Sequence, residues 1–171
     1  DLGVGNGSNF YKSTNSGGSW SALPATQYTA NNGGNSISVH SGDPLTVYGV
    51  TVKNLIKSSD GGATFAPLSV PAAFMGQVVV DPRFSSFIWY AQGATVYGSS
   101  NSGTNWGASF SSNKSNAAVT SVTVDYIDTG TVYIGTNNDG IWKTVDGGTS
   151  WNRLTLDNGG NPRPVVGVAV D

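Results

Sequence analysis

The chain has 171 residues, enough for one domain with a sizeable core, and carries a net charge of −2 with only 11% of residues charged. That balance lacks the basic footprint of a nucleic-acid binder, and no Lys/Arg run or long apolar stretch marks a membrane protein. With no Cys and His40 as the single histidine, the chain offers neither disulfides nor thiolate or histidine metal sites, and no cofactor motif is present.

The acidic residues are all Asp, and Gly, Ser, Thr and Asn are abundant. Asp bonds nearby backbone in turns, whereas Glu suits helices, so the composition predicts strands joined by tight turns. From the N-terminus, the first signal is Ser13-Thr-Asn-Ser-Gly-Gly-Ser-Trp20. Next come the short β-branched run Ile37–His40, the aromatic strand Val47-Tyr48-Gly49, the strand Asn54–Lys57 and a second box, Ser58-Ser-Asp-Gly-Gly-Ala-Thr-Phe65. The order then recurs: Val78–Asp81, Ile88-Trp89-Tyr90, Ala94–Tyr97 and the box Ser99–Trp106. It recurs again as Val122–Asp125, Val132-Tyr133-Ile134, Gly140–Lys143 and the box Thr144–Trp151. Val168–Asp171 starts a further round. The boxes share Ser/Thr-x-Asp/Asn-x-Gly-x-x-aromatic and start at 13, 58, 99 and 144, a period of 45, 41 and 45 residues. That is the length of a four-stranded propeller blade. With no convincing helical period, the fold class is all-β: a β-propeller of four Asp-box (BNR-type) blades, or part of a larger propeller.

Residues 1–171 therefore form a single propeller domain, or a fragment of four repeats at about 1–46, 47–87, 88–131 and 132–171. Leu2-Gly-Val aligns with Tyr48-Gly-Val, and Asp171 closes a first strand, so both ends fall between two strands of a blade. A four-bladed ring, an eight-bladed dimer and a piece of a longer chain all satisfy this phase. Low charge and absent Cys fit a secreted, extracellular protein whose leader has been removed.

Within each box the Asp or Asn accepts backbone N–H bonds, the Gly takes angles closed to other residues, and the aromatic plugs the space between sheets. Asn15, Trp20, Asp60, Phe65, Asn101, Trp106, Asp146 and Trp151 are accordingly structural. Asp43, Asp81, Asp125 and Asp171 share one turn position, and His40 occupies it in one repeat. Asp128 and Asp157 lie in loops with no partner pattern. Arg83, Arg153 and Arg163 lack the context of a sialidase arginine triad. Aromatics outside the boxes are Tyr28, Phe74, Phe87, Trp89, Tyr90, Tyr126 and Trp142. An aromatic face stacks on a sugar while neighbouring Asn, Ser and Asp bond its hydroxyls. Trp142, Tyr126, Trp89 and Tyr90 are therefore the carbohydrate-binding candidates, with packing between blades as the competing role.

One stretch narrows the family. Met75-Gly-Gln-Val-Val-Val-Asp-Pro-Arg-Phe84, then Trp89-Tyr-Ala-Gln-Gly-Ala-Thr-Val-Tyr-Gly98 and Asn105-Trp106, resembles a segment of the xyloglucan-specific endoglucanases (xyloglucanases). That resemblance implies a secreted inverting glycoside hydrolase built from two facing seven-bladed propellers. Two Asp residues would act across the cleft, about 6.5–9.5 Å apart so that a water fits between them. The family's catalytic motif Tyr-Ala-Arg-Thr-Asp-Ile-Gly-Gly meets Tyr133-Ile-Gly-Thr-Asn137-Asn-Asp139-Gly140 here. Asn137 stands in the catalytic place and cannot exchange a proton as a carboxyl does. Asp139 is the one candidate catalytic carboxylate, with turn formation as its alternative role, and no intact Asp pair is identified.

The function expected is an extracellular propeller related to xyloglucan-cleaving hydrolases, acting on or binding plant-type β-glucan, and incomplete as a catalyst on its own. A non-catalytic lectin-like propeller and a self-assembling protein joined through exposed blade edges are the alternatives. Expected partners are a polysaccharide or oligosaccharide and, for assembly, a second propeller or another copy.

Overall fold

A computed structural model describes residues 2–4, 10–23, 34–71, 76–154 and 163–170. Asn6, Ser8, Tyr28, Phe74, Met75, Asp157 and Asp171 lie outside the described residues. The described residues form fifteen strands and no helix.

The strands make four antiparallel meanders. The first sheet is β1 (Leu2–Val4), β2 (Phe10–Lys12) and β3 (Ser21–Ala22). The second is β4 (Gly34–His40), β5 (Asp43–Thr51), β6 (Leu55–Ser58) and β7 (Ala66–Leu68). The third is β8 (Gln77–Val80), β9 (Ile88–Gln92), β10 (Thr95–Ser99) and β11 (Gly107–Ser111). The fourth is β12 (Val119–Val124), β13 (Val132–Thr136), β14 (Ile141–Thr144) and β15 (Asn152–Leu154). The repeat boundaries drawn from the sequence thus fall inside sheets: 87/88 and 131/132 lie between the first and second strands, and 46/47 lies within β5.

First strands of successive sheets lie side by side and are stitched by side chains. Ser36 and Ser38 hydroxyls accept the Val78 and Val80 N–H groups at 3.2 and 3.0 Å, and the Gln77 side-chain oxygen accepts Val122 N–H at 2.9 Å. Thr123 Oγ1 then donates to Val168 O at 2.6 Å, so residues 163–170 continue the series beyond β12. This radial stacking of four-stranded meanders about their first strands is the β-propeller arrangement.

The cores lie between sheets. Phe10 of the first sheet meets Val47, Ile56 and Phe65 of the second. Tyr48, Val50 and Leu55 meet Val78, Val80, Ile88 and Tyr90 of the third. Trp89, Ala91, Val96 and Phe110 meet Val122, Val124, Val132 and Ile134 of the fourth. Each fully buried aliphatic side chain contributes about 1.5–3 kcal/mol. Second strands are sandwiched on both faces, which explains why Val47–Val50 and Ile88–Ala91 read as continuous apolar runs. The outer strands β3, β7 and β15 are short and mostly exposed, while β11 has five residues and buries Phe110.

The four boxes have one geometry. The leading Ser/Thr hydroxyl accepts the N–H of the glycine four residues on, at 2.8 Å for Ser13–Gly17 and Ser58–Gly62, 2.9 Å for Ser99–Gly103 and 3.0 Å for Thr144–Gly148. Those glycines have φ of 84–92°, which excludes most other residues there. The Asn or Asp oxygen accepts the N–H of Ser19, Thr64, Asn105 or Ser150 at 2.8–2.9 Å. Phe65, Trp106 and Trp151 each pack into the interface with the preceding sheet. Trp20 departs from the expected packing role: it is 47% exposed, because no described sheet faces that side of the first one.

Candidate functional site

Two places on the fold bring polar groups together around open space, and the first is built from backbone register. Where the first strands begin, Asn35 and Ser36 of β4, Gly76 and Gln77 at β8, and Val119 and Thr120 of β12 converge with Ala91 and Gly93 at the β9–β10 turn. They line a cavity of ≈ 360 Å³. Its wall is braced: Asn35 Nδ2 donates to Gly76 O at 2.6 Å, and Thr120 Oγ1 donates to Val165 O at 2.5 Å. Gly76 is required by close approach, since a Cβ there would collide with the carbonyl oxygen of Ala91. Gln77 commits its side-chain oxygen to Val122 N–H, which leaves its amino group as a donor. Among the described residues the lining thus consists of amides, hydroxyls, backbone and the apolar Ala91 and Val119, with no charged side chain.

Asp139 is only 3% exposed and lies in the turn before β14. Its Oδ2 accepts from Ser112 Oγ at 2.9 Å, while Oδ1 lies 3.6 Å from Lys114 Nζ and 3.5 Å from Arg153 Nε. Its backbone oxygen also accepts from Arg153 Nε at 2.9 Å and Trp142 Nε1 at 3.2 Å. This carboxylate is a strut tying the 112–118 loop to β15. A general acid would have to present its proton to an accessible glycosidic oxygen. Asn137 is likewise occupied: its Oδ1 accepts Ala118 N–H at 2.7 Å and its own N–H donates to Ala118 O at 2.9 Å.

The aromatic candidates are not brought together. Tyr90, 1% exposed, packs against Tyr97 and Trp106, with ring centroids 6.4 and 6.2 Å away. Trp89, 5% exposed, meets Trp151 edge-on at 6.3 Å. Trp142 stands against Phe110 at 5.2 Å and belongs to the interface between the third and fourth sheets. Tyr126 is 64% exposed but sits in the β12–β13 turn, at the other end of the first strands from the amide-lined cavity. Mid-strand position explains the burial of Trp89 and Tyr90.

The turn acids behave as turn formers. Asp81 Oδ1 accepts the N–H groups of Arg83 and Phe84, and Asp125 Oδ1 those of Ile127 and Asp128. The bonds from Asp128 and Ile127 N–H hold the Asp125 carboxyl below its usual value, and the Thr46 hydroxyl does the same for Asp43. His40, and not Asp43 as the sequence suggested, takes the place of Asp81 and Asp125. It is buried opposite Asp43, with no hydrogen-bond partner on either ring nitrogen among the described residues. Asp43 instead accepts from Leu45 N–H and the Thr46 hydroxyl, as Asp128 does from Gly130 N–H and the Thr131 hydroxyl. In the boxes, Thr64 hydroxyl and N–H, then Ser58, lower Asp60 to about 2. Ser150 and Thr144 lower Asp146 to about 2 in the same way.

No protein-family model and no curated protein matches the sequence. Solved structures do match. An ancestral GH74 enzyme superposes with a TM-score of 0.76 at 24% identity, over 95% of this chain and 23% of that one. The GH74 xyloglucanase from Xanthomonas campestris gives 0.73 at 16% identity, over 92% and 29%. The extracellular domain of a hybrid two-component system from B. thetaiotaomicron gives 0.72 at 15% identity, over 96% and 22%. This chain spans less than a third of each. It has the β-propeller fold, in a form similar to the propellers of GH74 xyloglucanases.

Proposed function

We propose that this chain is a sugar-recognising propeller unit of the xyloglucanase type, working outside the cell, that binds a neutral β-glucan chain without cleaving it by itself. The observation that carries the reading is the cavity of ≈ 360 Å³ where the first strands of three sheets begin. It offers amide and hydroxyl groups from Asn35, Gln77 and Thr120 and no charge, which suits an uncharged polyol. Its size lies at the lower end of the range for ligand pockets, roughly 300–1,000 Å³. The extracellular setting is supported by the likeness to the extracellular domain of a hybrid two-component system. The absence of cleavage rests on Asp139 being consumed by Lys114 and Arg153 and on Asn137 standing where the resembling family has its carboxylate.

Calorimetric titration with xyloglucan oligosaccharides, against mannan oligosaccharides, tests this. Saturable heat with xyloglucan alone is expected. Gln77→Ala and Asn35→Ala should each weaken binding about five- to thirty-fold, as for the loss of one or two kcal/mol. Equal affinity in both variants, or no heat with xyloglucan, contradicts the reading. Reducing-sugar release by the purified chain contradicts its non-catalytic part.

A further inference from the structure

The residue before each box is Lys12, Lys57, Gly98 and Lys143: three lysines and one glycine. In the second sheet the cross-strand row at this level is Tyr48–Lys57–Ala66, with the ammonium 5.5 Å from the tyrosine ring. In the fourth it is Tyr133–Lys143–Asn152, at 5.1 Å. Lys12 instead reaches across to the next sheet, where Nζ donates to the Gly61 carbonyl of the second box at 3.0 Å. In the third sheet the row is Trp89–Gly98–Gly107, and two successive side chains are missing from one face. The indole leans over Gly98, 3.1 Å from where a Cβ would stand, while a Cβ on Gly107 would meet nothing within 4 Å.

The result is a cleft of ≈ 260 Å³ between the third sheet and the fourth box. Phe87, 42% exposed, supplies the accessible aromatic surface, and the 5% of Trp89 that stays exposed adds to it. Ser100 supplies a hydroxyl, while Ser99, Ser109 and Thr149 already donate to Asn101 Oδ1, Gly148 O and Asp146 O and offer only acceptor capacity. Gly147, the counterpart of the Gly61 that Lys12 engages, brings its backbone to the wall. We propose that this cleft, opened where the repeat's lysine is replaced by Gly98, binds a single neutral pyranose ring. Its volume of ≈ 260 Å³ lies just under the roughly 300 Å³ lower bound of ligand pockets, so it has room for one ring and not for a chain. A pyranose has an apolar C–H face for the indole and phenyl and hydroxyls for the serines and the box backbone. A free cation, the other group that aromatics attract, would leave water with no carboxylate in the lining to receive it. The site is separate from the amide-lined cavity and shares no lining residue with it.

The test is amide NMR on the ¹⁵N-labelled chain, titrated in parallel with methyl β-D-glucopyranoside, methyl β-D-xylopyranoside and choline chloride. Saturable shifts with a glycoside are expected at Gly98, Gly107, Gly147 and Gly148. Gly107→Leu, which adds bulk to open space, should weaken them by at least about tenfold while leaving the thermal midpoint unchanged. Trp89→Tyr combined with Gly98→Lys rebuilds the row of the neighbouring sheets and should abolish them. The proposal is overturned if no glycoside produces saturable shifts there, if the shifts survive in both variants, or if choline alone saturates the site. Shifts at Gly76 and Gly93 report the other cavity, so the two readings fail separately.

Discussion

Ser16 and Ser102 hold φ of 54° and 57°, a region that costs an L-residue about 1–2 kcal/mol, where the other two boxes use Gly61 and Gly147. Ser102→Gly removes that strain but gains unfolded-chain entropy, so a net stabilisation of about 0.5–1 kcal/mol is expected in urea melts. The same Gly at position 61 or 147 changed to Ala should destabilise. The box carboxylates set an acid limit. Asp60 and Asp146 lie near 2 in the folded chain, below the value of about 3.9 in an unfolded one. The folded state therefore favours the charged form. The stability this contributes is complete above pH 4 and disappears as pH falls towards 2. Asp60→Asn with Asp146→Asn should flatten the pH dependence of the urea midpoint across that window, which the natural Asn15 and Asn101 boxes already lack. All four boxes were legible in the sequence because the motif is local: a hydroxyl, an amide or carboxyl, and a glycine within five residues.

At the scale of elements, the first three strands of each repeat were readable, since sandwiching between sheets makes them apolar. The outer strands were not: β3, β7 and β15 have two or three residues each and face solvent, and β11, with five, buries only Phe110. The box aromatics were assigned one role but have two environments. Phe65 is 7% exposed in the interface between the first two sheets, whereas Trp20 is 47% exposed. Phe65→Ala should cost about 3–5 kcal/mol by chemical denaturation, and Trp20→Ala under about 1 kcal/mol. Equal losses would contradict the inter-sheet packing described here. The strut at Asp139 makes a parallel prediction. Asp139→Ala should cost about 1.5–3 kcal/mol, towards the lower end because Lys114 is 42% exposed, with sugar binding unchanged.

For the whole molecule, the fold was legible and the proposed glucan cavity was not. Asn35, Gln77 and Thr120 come from three repeats and meet only because first strands begin together. No spacing in one dimension announces that. Aromatic counting pointed to Trp89, Tyr90, Trp142 and Tyr126; the stacking of sheets draws the first three into interfaces, and Trp89 also borders the cleft beside Gly98. The replacement of lysine by Gly98 was visible in the aligned boxes, yet its meaning needed the row across β9, β10 and β11. A neutral glucan in the amide-lined cavity is tested most directly by a crystal structure of the chain soaked with a xyloglucan oligosaccharide. An intact, uncleaved sugar bonded to Gln77 and its neighbours where the first strands begin is expected. A cavity holding only water at saturating sugar, or a cleaved product beside Asp139, would contradict it.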